Sequence, residues 1–207
     1  MHIPDGLIPF EQALAYLIVS LVILSIFFYY TSRKVDMEKR LVLTGVLTAI
    51  VVVATSFTIP SPMGVQIHFF IIPLVVFILG PFNASLVSFL ALLVQALALG
   101  EGGVTALGAN VLDMGIVLSL VVYAVYKLFS SIDRRIAIFV STVMGILAAT
   151  FMQIFILAIA NASSLEVLLA SLLPYYLMVA IMEGIINIVI MEFISRMDAS
   201  ILDIEKV

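Results

Sequence analysis

Long apolar runs, each bounded by charge, proline or glycine, dominate the chain and set its architecture. They cover Phe10–Tyr30, Leu41–Ile59, Met63–Leu79, Phe82–Leu99, Thr105–Leu128, Ile136–Ala160 and Val167–Ile194. Most reach the roughly 20 residues that a helix rising about 1.5 Å per residue needs to cross about 30 Å of hydrocarbon. Period-two alternation is absent and the runs are too long for barrel strands. The pattern therefore predicts an all-α polytopic membrane helix bundle of seven transmembrane helices, with residues 1–207 forming a single membrane domain.

The third run is the shortest. Its uninterrupted part, Phe69–Leu79, would cover only about 17 Å as a helix. It crosses only if the helix starts near Met63, which recesses His68 by more than one turn. Pro73 is then expected inside the helix, where it removes one hydrogen bond and frees the carbonyl of Phe69. The alternative is a re-entrant hairpin with the fourth run, turning at Gly80-Pro81.

Charge chooses between the two. With seven spans and the N-terminus outside, Arg33, Lys34, Lys39 and Arg40 fall in one inner loop and Lys127, Arg134 and Arg135 in another. Arg196 and Lys206 fall in an inner C-terminal tail, and the outer loops carry no Lys or Arg. A third run that failed to cross would move the second basic loop and the tail outside, against the positive-inside tendency. The expected topology is N-terminus outside, C-terminus inside.

Composition closes other classes. The chain is 64% hydrophobic and 11% charged, where a soluble domain is about one-quarter charged. The absence of cysteine excludes disulfides and thiolate metal sites. The first basic residues follow the first apolar run instead of preceding it, so that run does not read as a secretory leader. The bulky His2 should hinder removal of the initiator, which makes Met1 the expected first residue of the mature chain.

Only two histidines exist, His2 and His68, and the topology puts both on the outer side. The α-amine of Met1, the backbone nitrogen of His2 and its imidazole can close two fused chelate rings around one cation. Planar nitrogen ligation of this kind favours Ni(II) or Cu(II) over Mg or Ca. These donors must shed protons, so affinity should fall with pH. The imidazole of His68 would supply a fourth nitrogen. Ile3-Pro4-Asp5-Gly6 reads as a turn that could fold the N-terminus into the bundle mouth. Plainer readings stand beside this one: N-termini are commonly disordered, and His68 could be a hydrogen-bonded structural group.

A second informative stretch is Gln95–Met114, QALALGEGGVTALGANVLDM. Glu101-Gly102-Gly103 reads as an outer turn and Thr105 as the N-cap of the next helix. Gly108 and Ala109 allow close approach. Asn110 could orient a metal ligand from behind or make an interhelical hydrogen bond. Asp113 and Glu183 lie within spans, as polar ties or as parts of an inner pathway. Small-residue pairs at Gly45/Ala49, Ala84/Ser88 and Gly145/Ala149 predict helix packing.

MHIPDG at the start, a prolyl loop leading to His68, and QALALGEGGVTALGANVLDMGIV together resemble the CbiM/NikM family. These are substrate-capture (S) components of cobalt/nickel energy-coupling-factor transporters, and the resemblance covers most of the chain in order. It implies an extra N-terminal helix on a six-helix core and a metal held by Met1, His2 and His68; besides these ligands, Asp5 and Asn110 are expected to shape the site. It also implies a transmembrane coupling protein and two cytoplasmic ATPases as partners, with a small accessory membrane subunit in some assemblies. Three departures are visible. Phe69-Phe70-Ile71-Ile72-Pro73 replaces a Pro-Thr-Gly-Thr-Gly run, Asp113 stands where a neutral polar residue is expected, and Leu118-Ser119-Leu120 replaces a glycine-rich continuation.

The expected function is Co2+/Ni2+ capture and translocation in an ATP-driven importer of the cell membrane, the metal being cargo and no cofactor being needed. A phosphate-binding G-x-x-x-x-G-K-[ST] loop is missing, so ATP hydrolysis falls to partners. No nucleic-acid partner is expected. The alternative is a stand-alone secondary carrier or channel. An enzyme is not expected: H-E-x-x-H is absent, and two histidines are few for a catalytic metal with an open position.

Overall fold

The computed structural model describes residues 2–33, 37–56, 59–60 and 66–197, the pairs 59–60 and 66–67 as backbone only. Met1, Lys34 and Lys206, which entered the expectations above, lie outside the described residues. Among the described residues seven helices follow in order: α1 (Phe10–Ser32), α2 (Met37–Ser56), α3 (Ile72–Leu79), α4 (Pro81–Leu99), α5 (Leu107–Phe129), α6 (Arg134–Ile159) and α7 (Leu165–Met197). Ile59–Pro60 and Gln66–Ile67 form a minimal antiparallel pair between α2 and α3.

Among these helices six are long and apolar enough to cross a membrane. Their outward faces carry Ile18, Val22, Val42, Phe155, Val189 and Phe193 exposed, an arrangement suited to lipid, where a helix satisfies its backbone groups internally. The protein is a multi-pass membrane protein.

The expected third span takes a different form. Its described helix, α3, has eight residues and is about 12 Å long, too short to cross alone. It begins at Ile72, so Pro73 stands in the first turn, where its missing N–H would have had no intrahelical partner. No internal hydrogen bond is lost there, contrary to the expectation. Gly80, at φ 80° and ψ 169°, breaks the chain before α4.

Helix packing follows the small residues in two of the three expected places. Ala84, Ser88 and Ala149 are fully buried, and a Cβ on Gly145 would lie 2.3 Å from the Val122 side chain of α5. Gly45 has nothing within 4 Å of its Cβ position, and Ala49 lines a shallow outward groove. That pair does not pack in this chain. Backbone-to-backbone approach is closest where Gly108 meets α1: a Cβ there would fall 2.3 Å from Leu17 Cα. The same crossing is sealed by the Ser20 hydroxyl donating to the Gly108 carbonyl at 2.7 Å.

The described basic residues gather at one end of the bundle. Arg33 follows α1, Lys39 and Arg40 open α2, Lys127 ends α5, Arg134 and Arg135 open α6, and Arg196 ends α7. Asp133 caps α6, its Oδ1 accepting from the N–H groups of Arg135 (2.8 Å) and Ile136 (3.0 Å), and Arg135 pairs with Glu192 of α7. The opposite end holds a separate apolar cluster of Ile3, Ile8, Ala106, Ile156 and Leu168. The N-terminal segment is thus part of the core.

Candidate metal centre

The N-terminal segment folds into the bundle mouth because three features of the chain accept it. Ile3 is 1% exposed, so its side chain anchors the segment by apolar burial. Its main chain is read by Asn110 on α5: the Ile3 N–H donates to Asn110 Oδ1 at 2.8 Å, and Asn110 Nδ2 donates to the Ile3 carbonyl at 3.1 Å. A primary amide matches the main chain of one residue in this two-bond fashion because its oxygen and its NH2 accept and donate side by side, facing that residue's N–H and C=O. Asp5 supplies the third hold. Its carboxylate accepts from the Val104 N–H at 3.2 Å, the Thr105 N–H at 2.8 Å and the Thr105 hydroxyl at 2.5 Å.

The last contact corrects an expectation. Thr105 is not the N-cap of α5: the helix opens at Leu107 after Ala106, which makes no side-chain capping bond. The capping chemistry of that entrance comes from Asp5, across the gap between the chain's first turn and α5. A carboxylate is a stronger acceptor than a hydroxyl, and a hydroxyl already donating to it is better used this way. The Thr105 hydroxyl above all, helped by the backbone N–H groups, holds the Asp5 carboxyl below its ordinary 3.8.

The turn expected at Ile3-Pro4-Asp5-Gly6 falls one residue later, with Asp5 and Gly6 as its central pair and Gly6 at φ 88°. Opposite it, Gly103 makes room for the incoming chain. A Cβ there would stand 2.3 Å from Asp5 Oδ1 and 2.6 Å from Asp5 N, so a side chain at 103 and the docked segment exclude one another. Gly102 abuts His2 itself, with its Cβ position 3.4 Å from His2 Nδ1. The two glycines of the Glu101-Gly102-Gly103 turn are where the frame meets the N-terminus.

His2 and His68 come together. Their ring centroids lie 5.2 Å apart with planes inclined by 20°. A metal–nitrogen bond of about 2.0 Å puts a ligating imidazole's centroid about 3.2 Å from the ion, so two on one ion stand about 4.5–6.4 Å apart. The observed spacing falls inside that interval. His68 is 9% exposed, and its Nδ1 lies 3.4 Å from the Phe69 carbonyl. His2 Nδ1 is buried and has no hydrogen-bond partner among the described residues. Burial lowers the His2 imidazole from 6.5 to about 2, keeping it in the neutral form that can ligate a metal.

Among the described residues no three His, Cys, Asp or Glu side chains converge on one point. Side chains alone therefore do not build a cage here, and further donors would have to be main-chain groups. Beneath His2 lies a void of about 10 Å³ lined in part by Thr55, Ser88, Gln95 and Met114, about one water's worth of space. Gln95 crosses its floor, Nε2 donating to Thr55 Oγ1 at 2.8 Å and to Glu101 Oε2 at 3.3 Å. Both α4 and α5 turn π-helical beside it, at Gln95–Leu99 and Val111–Val117, a widening common at functional sites.

Sequence reasoning left Glu183 unassigned, and the structure gives it a place. From α7 it reaches the residues just after His68, Oε2 accepting from the Phe70 N–H and Oε1 from the Ile71 N–H, each at 2.8 Å. Asp113 stays outside the histidine pair. Its Oδ1 accepts from the neighbouring Met114 N–H at 2.6 Å, and its Oδ2 has no hydrogen-bond partner among the described residues.

Fold and site together define a multi-pass membrane protein with two paired imidazoles, His2 and His68, at the end opposite its described basic residues. The chain belongs to the family described as "Cobalt uptake substrate-specific transmembrane region", which matches residues 2–201 and whose members are metal transport proteins, not enzymes. It is 34% identical over 205 residues to the cobalt transport protein CbiM of Thermosipho melanesiensis, spanning 95% of this chain and 87% of that one. It is 30% identical over 204 residues to CbiM of Clostridium tetani, spanning 95% and 85%. A putative fused nickel transport protein NikMN of Archaeoglobus fulgidus is 32% identical over 197 residues, which are 94% of this chain and 65% of that longer one. A solved structure described as a truncated transition metal transporter superposes with a TM-score of 0.86 at 25% identity, covering 95% of this chain and 99% of that chain.

Proposed function

We propose that this chain is the Co2+/Ni2+ capture subunit of an ATP-driven importer of the energy-coupling-factor type, and that its N-terminus is the chelate. The α-amine of Met1, the backbone nitrogen and Nδ1 of His2 and the imidazole of His68 are the ligands. Asp5 and Asn110 hold the segment that carries them. The observation that carries this reading is the pairing of the only two imidazoles in the chain at 5.2 Å. The buried, unpartnered atom of His2 is Nδ1, which is also the ring nitrogen that closes a six-membered chelate with its own backbone nitrogen.

The site faces outward in this reading. The described Lys and Arg residues collect at the far end of the bundle, the end that the positive-inside tendency assigns to the cytoplasm. The irregular approach through His68 followed by α3 then serves as the third of seven crossings within one membrane domain, which leaves the C-terminus inside. A transmembrane coupling protein and two ATPases, with or without a small accessory subunit, supply the energy that this chain lacks a phosphate loop to harvest. Release follows when those partners disturb the packed N-terminal segment.

The test is a Ni2+ and Co2+ titration of purified protein beginning at Met1, against a form carrying one extra residue before it. Loss of tight binding in the extended form is expected, because its α-amine lies too far away to close the five-membered ring. Equal affinity in both forms overturns the amine ligand. Metal accumulation by vesicles holding this chain alone, at the rate seen with the full assembly, would favour a secondary carrier instead.

A further inference from the structure

We infer that Glu183 is a positioning residue for the metal site, shaping the backbone turn that aims His68 at the N-terminal chelate; this rests on His68 being a ligand. The starting observation is strain. Ile71, three residues after His68, sits at φ 62° and ψ −20°, in the left-handed region that a β-branched side chain avoids. It is also the N-cap of α3 and makes no side-chain capping bond. Locally its carbonyl accepts the Val75 N–H at 3.2 Å, a bond that leaves its own N–H to be held from elsewhere.

Glu183 holds it from a distance. It is 1% exposed, lies near the middle of α7, and accepts the consecutive N–H groups of Phe70 and Ile71 with its two oxygens. The two N–H groups fix the peptide planes on either side of Phe70, and the left-handed backbone of Ile71 then joins the clamped peptide to the start of α3. The start of α3 offers its positive dipole end to the same carboxylate. Two turns earlier on α7, Tyr176 packs edge-on against Phe70 with centroids 6.0 Å apart. One face of α7 thus grips both residues that follow Phe69, while Phe70 and His68 remain in ring contact at 6.0 Å. Released from the carboxylate, Ile71 relaxes to negative φ and carries the His68 imidazole out of reach of His2.

The experiment uses the purified full-length chain with its native Met1 and Ni2+ alone as the probe. Wild type, Glu183→Gln, Glu183→Asp, Ile71→Gly, the double variant E183Q/I71G and His68→Ala are compared by affinity, ligand-field absorption of bound Ni2+ and melting temperature. Gln offers one acceptor and turns a donor toward the second N–H, and Asp is one methylene short. Either should bind about 10–100-fold more weakly, the range for groups that orient a ligand, with a spectrum shifted toward that of His68→Ala. Glycine occupies φ 62° without strain, so Ile71→Gly should bind as wild type and E183Q/I71G should recover most of the loss.

A lower melting temperature in E183Q and E183D with unchanged affinity and spectrum makes Glu183 a plain structural tie and overturns the inference. A loss that glycine at 71 fails to rescue overturns it as well. If His68→Ala binds as wild type, the ligand assignment itself fails, which is a separate result. Should E183Q be too unstable to purify, E183D and the double variant carry the same comparison.

Discussion

Asp5 and Glu183 do the same chemistry in opposite settings. Each accepts the N–H groups of two consecutive residues just before a helix: Val104 and Thr105 ahead of α5 for Asp5, Phe70 and Ile71 ahead of α3 for Glu183. Neither helix makes a side-chain cap of its own. Asp5, however, is exposed at the mouth and belongs to the segment being held, whereas Glu183 is buried and belongs to the frame. Water replaces the Asp5 bonds when they break, so that hold is reversible. Nothing replaces those of Glu183. The proposed metal site would therefore join a fixed half, His68 on its clamped loop, to a docked half, His2 on a segment that can leave.

The comparison can be broken first at its strong side. Glu183→Ala strands one buried and one part-buried N–H group, the buried one costing about 1–3 kcal/mol, and should lower the melting temperature in detergent more than any change at Asp5. A smaller loss than for Asp5→Ala would refute the asymmetry. Next is Gly103→Val, whose side chain needs the space of Asp5. It should expel residues 1–6, abolish tight metal binding and lower the melting temperature by less than Glu183→Ala, the loss being the burial of Ile3 and its bonds to Asn110. Metal titration alongside limited proteolysis of the N-terminus reads both effects, and an intact, protected N-terminus in this variant would count against the docking geometry.

Asn110→Leu is the third in size. It leaves the buried Ile3 N–H without its acceptor, at about 1–3 kcal/mol, and should weaken metal binding about tenfold with a fall in melting temperature of about 2–4 °C per kcal/mol lost. Asp5→Asn is the mildest and has a pH signature. Because the folded carboxyl is held below 3.8, its contribution is fully present above that value and fades as pH falls through the lower folded one. Exchange of the Val104 and Thr105 amides should stay slow and pH-independent in its protection from pH 5 to 8, rising in acid. The Asn variant should lose protection throughout and lose the acid step. An acid step that survives in the variant would have to come from another group.

Much of this was legible from the chain. His2, Asp5 and Gly6 sit within one short turn, and Gly102, Gly103 and Asn110 within another, so their local chemistry could be read without knowing how they meet. The errors have local causes too. Thr105 has the right side chain to cap a helix, but its hydroxyl is drawn to a carboxylate 100 positions away. Pro73 lies inside an apolar run, yet the run becomes helical only at Ile72, so proline falls at a tolerated position. Gly45/Ala49 has the spacing of a packing pair, and spacing says nothing about which face turns inward.

By itself the sequence determined that the chain is a membrane helix bundle, with its basic residues confined to a few loops and its histidines to two places. Those are properties of segment length and transfer free energy, which act locally. Only the tertiary structure decided that His2 and His68 face each other, that Asp5 serves a helix it does not belong to, and that Glu183 grips a strained turn 112 positions earlier. A buried carboxylate must find N–H donors somewhere. Which ones it finds depends on how α7 packs against α3, and no pattern along the chain records that.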